Sequence, residues 1–283
     1  MAAIEELTLR PVRPADYDRI VEITQDVWEG HDYIPRIFER WVADSAASFQ
    51  AAELDGEVVG LQRTRPYAPG LVWYEGLRVA SSHHRQGIAR KMLQSAIEEA
   101  RDHGFRQMRL ATRDLPARRL FESAGFRPLA ETRWWRGPRV EGGEPARMPD
   151  GDEAARLLPG MLASPGIELY GGIVPDMNGA RDLDAGELQR LATEGRVRLG
   201  PGGRGVALLR EPWGKNIAVS LLAGRGAALR ELLLALRYEA DADGLNHVTV
   251  NLPPEHPAEE DLKVTGYDFA DADLSGYIYA LDL

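Results

Sequence analysis

The chain has 283 residues, 44% of them hydrophobic, and a formal net charge of −10; this fits a globular protein of two ordinary domains and argues against a nucleic-acid partner, whose phosphates are neutralised by Lys and Arg. It has no cysteine, which excludes disulfides, thiol nucleophiles and thiolate metal sites. No apolar run reaches the roughly eighteen residues of a membrane span, and the opening Met1-Ala2-Ala3-Ile4-Glu5-Glu6 lacks the basic and apolar regions of a signal peptide, so a cytoplasmic location is expected.

Leu7 to Pro11 reads as a first strand, and Ala15 to Val27 as a helix with Ile20, Val21, Ile23 and Val27 facing inward. The turn Trp28 to Pro35 precedes a second amphipathic helix, Arg36 to Val42. A hairpin follows: Ser48 to Leu54, the turn Asp55-Gly56, then Val58 to Arg65. Leu71 to Val79 is rich in β-branched and aromatic residues and predicts another strand. After a polar turn, Arg85-Gln86-Gly87-Ile88-Ala89-Arg90 sets a glycine where the chain enters a helix and an arginine at either end. Ile88, Met92, Leu93, Ala96, Ile97 and Ala100 recur at helical spacing, with Gly104 as the stop. A helix start presents backbone N–H groups without partners and the positive end of the helix dipole, so a pyrophosphate suits this turn. The bland reading is a turn that only joins strand to helix. Strand Gln107 to Ala111, a short helix Pro116 to Phe126 and strand Leu129 to Arg136 complete this half.

Gly137 to Pro145 breaks the periodicity with Gly and Pro and reads as a linker. Beyond it, strands are expected over Val206–Glu211, Asn216–Leu222 and His247–Leu252, with a helix Ala227–Ala240. The spacing from Gly226 to Gly266 is nearly that from Gly87 to Gly125, which suggests a degenerate internal repeat. The histidines, His31, His83, His84, His103, His247 and His256, show no ligand spacing, so no metal site is expected. Lysine is confined to Lys91, Lys215 and Lys263, which leaves arginine, the better phosphate fork, to supply positive charge through Arg85, Arg90, Arg113, Arg118 and Arg119. The last two also fit a solvated helix face.

The order strand, R-x-x-G-x-G/A-like turn, long helix, strand and a block ending Phe121-Glu122-Ser123-Ala124-Gly125-Phe126 resembles the GNAT superfamily of acyl-CoA-dependent N-acetyltransferases, over about Leu7 to Arg136. His84 stands where the family's first Arg or Gln usually stands, and Phe121 where many members carry a tyrosine that protonates the departing thiolate; phenylalanine has no proton to give. The resemblance implies an α/β (α+β) fold of two tandem GNAT-like domains, each a mixed, mostly antiparallel sheet flanked by helices. The domains would be 1–138, catalytic, and 151–283, degenerate, with linker 139–150. It implies acetyl-CoA as co-substrate, held by the backbone of Leu77, Arg78 and Val79 and by Arg85, Gln86, Gly87, Ile88, Ala89 and Arg90. Glu75 is the expected general base; its bland reading is an ion pair with Arg78 or a solvent-facing strand residue. Asp32 and Tyr33 are the candidate substrate contacts, with capping and packing as the alternative.

Gly30 to Pro35, Glu75 to Ala80 and Arg109 to Asp114 are similar to the histidine N-acetyltransferase-like group. That similarity implies a small-molecule amine acceptor, a free amino acid first. The second copy, with Ala223-Gly224-Arg225-Gly226 in place of the turn, is expected to have lost the cofactor and to close the first domain's substrate cleft or form a homodimer surface; retained acyl-CoA binding is the alternative. The other functional classes are a catalytically weak acyl-CoA-binding sensor and a ligand-free structural tandem.

Overall fold

The computed structural model describes residues 7–176, 178–212 and 214–283, with backbone alone at 151 and 271–275. The described residues form two compact units: residues 7–110, 118–127 and 280–283, and residues 111–117 and 128–279.

In the first unit the strands are β1 (Thr8–Pro11), β2 (Ser48–Leu54), β3 (Glu57–Ala68), β4 (Leu71–Val79) and β5 (Gln107–Thr112), in that order across the sheet. The helices are α1 (Tyr17–Thr24), α2 (Ile34–Ala43), α3 (Ile88–Asp102) and α4 (Leu115–Ser123). β1 to β4 pair antiparallel, and the β2–β3 turn has Asp55 and Gly56 both at positive φ, 51° and 80°, the twist that tight hairpins favour. Strand alternation divides the core. Ala51 and Leu61 face α1 and α2, meeting Ile20, Ile34, Phe38 and Trp41, while Ala52 and Val59 face α3 at Ile88 and Met92. The six α3 residues expected at helical spacing are all buried.

The first helix is shorter than expected, because 3-10 turns at Pro14–Asp16 and Val27–Gly30 take its ends; Trp28 and Glu29 have left-handed φ of 48° and 57°. α2 begins two residues earlier, at Ile34, with Pro35 in its first turn, where proline's missing N–H costs nothing.

In the second unit β6 (Arg127–Pro138) pairs antiparallel with β12 (His247–Leu252). β12 runs parallel to β11 (Asn216–Ala223), which pairs with β10 (Val206–Leu209) and, through it, β9 (Val197–Leu199). Helix α8 (Gly226–Ala242) covers one face with Leu229, Leu232, Leu233 and Leu236 against Ile217, Val219, Val248 and Val250. The segment 151–199 holds elements that the sequence reading did not locate: short helices α5 (Gly151–Ala155) and α6 (Leu158–Leu162), the hairpin β7 (Ile173–Asp176) and β8 (Gly179–Asp182), α7 (Ala185–Thr193) and β9. α9 (Glu259–Val264) and β13 (Asp268–Asp282) close the chain.

The Gly/Pro segment after β6 is tied down within this unit. Val140 N–H donates to the Arg237 carbonyl at 3.3 Å and Ala146 N–H to that of Ala235 at 3.2 Å, both on α8. At Gly143 a Cβ would meet the Tyr238 ring at 2.2 Å. The glycine permits close approach here, so the segment is a packed strap.

Candidate active site

β4 and β5 pair in parallel only over Leu71–Trp73 with Gln107–Arg109. The rest of β4, including Leu77, Arg78 and Val79, runs on without a β5 ladder. Gly76 sits where this run begins, at φ 70°, and a Cβ there would meet the Trp41 ring at 2.8 Å. Glycine is needed for both conformation and space.

After β4, Ala80 donates back to the Val59 carbonyl at 2.8 Å, and the His84 ring Nε2 lies 2.9 Å from the Val79 carbonyl. Arg85 and Gly87 adopt left-handed φ of 60° and 86°. The first N–H of α3 bonded back within the chain is that of Lys91, to the Gly87 carbonyl at 3.0 Å, and no side chain caps the helix. The N–H groups of Ile88, Ala89 and Arg90 thus have no helical acceptor, and the dipole adds positive potential there. Arg85, Gln86 and Arg90 are exposed around the turn. Gln86 donates to the Ser82 carbonyl at 3.3 Å, and Arg90 Nη2 to Ser123 Oγ of α4 at 3.3 Å. An anion of pyrophosphate size fits this arrangement by charge and by donor supply.

Glu75 lies on β4 just before Gly76 and does not pair with Arg78. Arg63 Nη1 and Arg65 Nε both donate to its Oε1, the latter at 3.1 Å. Arg63 reaches Asp44 through its other arm and stacks over Trp41 at 4.9 Å. The β3–β4 register sets Arg63 opposite Glu75, a pairing that follows once the hairpin register is known and that the sequence reading missed. Its sequence signal is the pair Arg63 and Arg65, two apart on a strand and so on one face.

Arg78 turns its side chain to Asp32, with Nε 2.7 Å from Oδ2, and lies over the Trp28 and Tyr33 rings at 5.0 and 5.9 Å. The other Asp32 oxygen accepts from Ile34 N–H at 3.0 Å. Both Asp32 oxygens are thus engaged by the protein, and its side chain is 1% exposed. It ties the loop before α2 to β4. Tyr33 is stacked with Trp28 and edge-on to Trp41; burial pushes its hydroxyl pKa up to about 12.

Phe121 is buried, edge-on to Phe126 and to Tyr74 at ring separations of 5.7 and 6.0 Å. Tyr74 donates to Gln62 at 3.0 Å, Gln62 to Gln50 at 3.0 Å, and Gln50 to Glu99 at 3.0 Å. Burial raises the Tyr74 pKa far above the ordinary phenol range, so it is a poor proton donor. Among the described residues no group of His, Asp and Glu has the arrangement of a metal site, and no helix is long and apolar enough to cross a membrane.

The model of the acetyltransferase (GNAT) family matches residues 17–126. The histidine N-acetyltransferase of Oreochromis niloticus is 31% identical over 84 residues, 29% of this chain and 25% of that protein. The uncharacterized N-acetyltransferase YsnE of Bacillus subtilis is 41% identical over 56 residues, 18% of this chain and 37% of its own. The matches therefore span only a quarter to about two fifths of these relatives' length. A GCN5-related N-acetyltransferase from Sphaerobacter thermophilus shares the fold over 98% of this chain and 96% of its own, at TM-score 0.62 and 15% identity. With the helix start, the glycine turn and the parted β4 in place, residues 17–126 of this chain are a domain of the GNAT acetyltransferase family.

Proposed function

We propose that the chain is an acetyl-CoA-dependent N-acetyltransferase that acylates the amine of a small molecule, a free amino acid ahead of peptide N-termini and aminoglycosides. The observation that carries this reading is the uncapped start of α3, flanked by Arg85 and Arg90, beside a β4 backbone that has left its β5 partner. The α3 N–H groups and the two arginines would hold the pyrophosphate. The backbone of Leu77 to Val79 would orient the pantetheine arm and thioester.

Transfer needs a neutral amine: nitrogen attacks the thioester carbon, the C–S bond breaks, and the nitrogen's proton leaves to a base. Glu75, in this reading, takes that proton directly or through water, while Arg63 and Arg65 fix the carboxylate's position. The amine class follows from magnitude. An α-amine titrates near 8 and a lysine side chain near 10.4, a difference of about 3 kcal/mol in reaching the neutral form at pH 7. One unaided carboxylate suits the α-amine. Asp32 is better placed to position Arg78, Trp28 and Tyr33 than to touch the acceptor.

The second unit is, in this reading, a degenerate copy without coenzyme. Gly226 N–H at the start of α8 donates to Asp261 Oδ2 at 3.2 Å, so a carboxylate already occupies that helix start. β11 and β12 pair only as far as Val219 and Val250, and beyond them the Tyr170 hydroxyl bridges Leu222 N–H at 3.2 Å and the Asn251 carbonyl at 3.3 Å. A buried tyrosine fills the gap that remains open in β4.

The test is to mix the chain with acetyl-CoA and free amino acids, small amines, aminoglycosides and short peptides, following thiol release. Acceptor-dependent release is expected. Coenzyme binding with no release from any acceptor would instead support the sensor reading, which the phenylalanine at position 121 favours.

A further inference from the structure

The sheet face of the second unit opposite α8 is buried; Val197, Leu199, Val206, Leu208 and Leu221 make part of it apolar, and a polar row runs beside them. Asn216, Ser220, Thr249, Asn251 and Arg210 lie on it, each at most 6% exposed, with Trp134 beside Asn251 on the neighbouring strand. Alternation sets them there, since Ile217, Val219, Val248, Val250 and Trp135 face α8. Arg210 lies over the Trp134 ring at 5.4 Å.

Four atoms on this face are buried without a hydrogen-bond partner: Arg210 Nε, Trp134 Nε1, Asn251 Oδ1 and Asn216 Oδ1. The Arg210 guanidinium has one bond, from Nη1 to the Glu211 carbonyl at 3.1 Å, and no ion pair among the described residues. Asp176 is the acid within electrostatic reach, and burial holds the arginine pKa below its usual range. Among the described residues, the other buried arginines, Arg63, Arg109 and Arg237, donate to carboxylates, to an amide oxygen and to two backbone carbonyls respectively. A buried cation without a contact ion pair, with unmet donors and acceptors around it, is costly unless something binds there.

We infer that this face of the second unit is a ligand site for a small zwitterion, an α-amino acid being the simplest. Arg210 Nε and Trp134 Nε1 donate to its carboxylate, and the Asn251 side-chain carbonyl accepts from its ammonium group; Asn216, opposite His247 and so four residues along from Asn251, lies outside the site. Ser220 Oγ donates to the Pro175 carbonyl, which lays β7 over the row, so a ligand enters by lifting β7. The inference does not depend on catalysis in the first unit, although an amino acid bound here would be suited to regulate an amino-acid acetyltransferase.

The experiment titrates the twenty L-amino acids, with acetate and methylammonium as half-ligands, into the full chain carrying Glu75→Gln, without acetyl-CoA, by calorimetry. At least one amino acid should bind more tightly than either half-ligand. Arg210→Met should abolish that binding. Trp134→Phe, which keeps the ring and removes its donor, should weaken it about tenfold. Binding of no amino acid would mean that water satisfies these atoms and would overturn the inference, as would equal binding to the parent and to Trp134→Phe. Absence of turnover in the wild-type chain would sink the acetyltransferase reading and leave this result standing.

Discussion

Glu75 shares one carboxylate oxygen between two guanidinium groups, so its position is set by β3 more than by its own strand. Glu75→Gln keeps the shape and one acceptor oxygen but removes the carboxylate proposed to take the proton. Turnover should fall about 10²–10⁴-fold with coenzyme A affinity unchanged, measured by thiol release and by calorimetry; equal turnover would remove Glu75 from the mechanism. His256 is a residue whose environment decides its charge. It is 3% exposed, its Nδ1 accepts from Ala258 N–H at 3.1 Å, its Nε2 has no partner, and burial pushes its pKa down to about 4 against an opposing effect of Glu168. The unfolded chain takes up this proton near pH 6.5 and the folded chain only near 4. Stability from a neutral His256 is therefore complete above about pH 6.5 and lost as pH falls toward 4, amounting to about 2–3 kcal/mol. Urea unfolding of His256→Asn, which retains an acceptor for Ala258, should lose that part of the slope between pH 6.5 and 4.

At the scale of elements, β4 carries the design of the first unit. It pairs with β3 along most of its length and with β5 for three residues, and Gly76 at the parting point leaves room for the Trp41 ring. Gly76→Ala should destabilise the chain by about 1–3 kcal/mol through overpacking and a positive-φ alanine, and should weaken coenzyme A binding with it. Thermal unfolding and calorimetry read the two effects; an unchanged unfolding midpoint would show that α2 yields easily. α3 was legible from sequence because its buried stripe and its glycine turn are local signals. The segment 151–199 was not, since its elements are short and draw their order from long-range partners: Tyr170 with Leu222 and Asn251, and Arg147 with Leu199.

At the scale of the whole molecule, sequence order and compact unit do not coincide. Residues 280–283, at the end of β13, belong to the first unit, where Leu283 N–H donates to the Arg106 carbonyl at 2.9 Å, Gln107 to Asp282 at 2.8 Å, and Arg127 pairs with Asp282 at 2.7 Å. β6, which follows the family block in sequence, pairs with β12 in the second unit. Deleting residues 280–283 should thus destabilise the first unit by about 2–3 kcal/mol, read as a lower unfolding midpoint with coenzyme A present and absent. We propose on the same ground that a fragment of residues 1–138 is less stable than those residues are in the full chain.

What the sequence by itself determined is what local chemistry dictates: the strand–turn–helix of 71–102 with its arginine-flanked glycine turn, the alternation that splits the first core, and the family of residues 17–126. Glycine at a positive φ, a buried stripe at helical spacing and an uncapped helix start each depend on neighbours within a few residues. Only the tertiary structure decided what depends on partners far along the chain. The hairpin register put Arg63 on Glu75, the loop before α2 turned Asp32 toward Arg78, and strands from both ends of the second half placed Arg210, Trp134 and Asn251 on one buried face. Those contacts join residues 12 or more positions apart, and no periodicity in a single sequence encodes them.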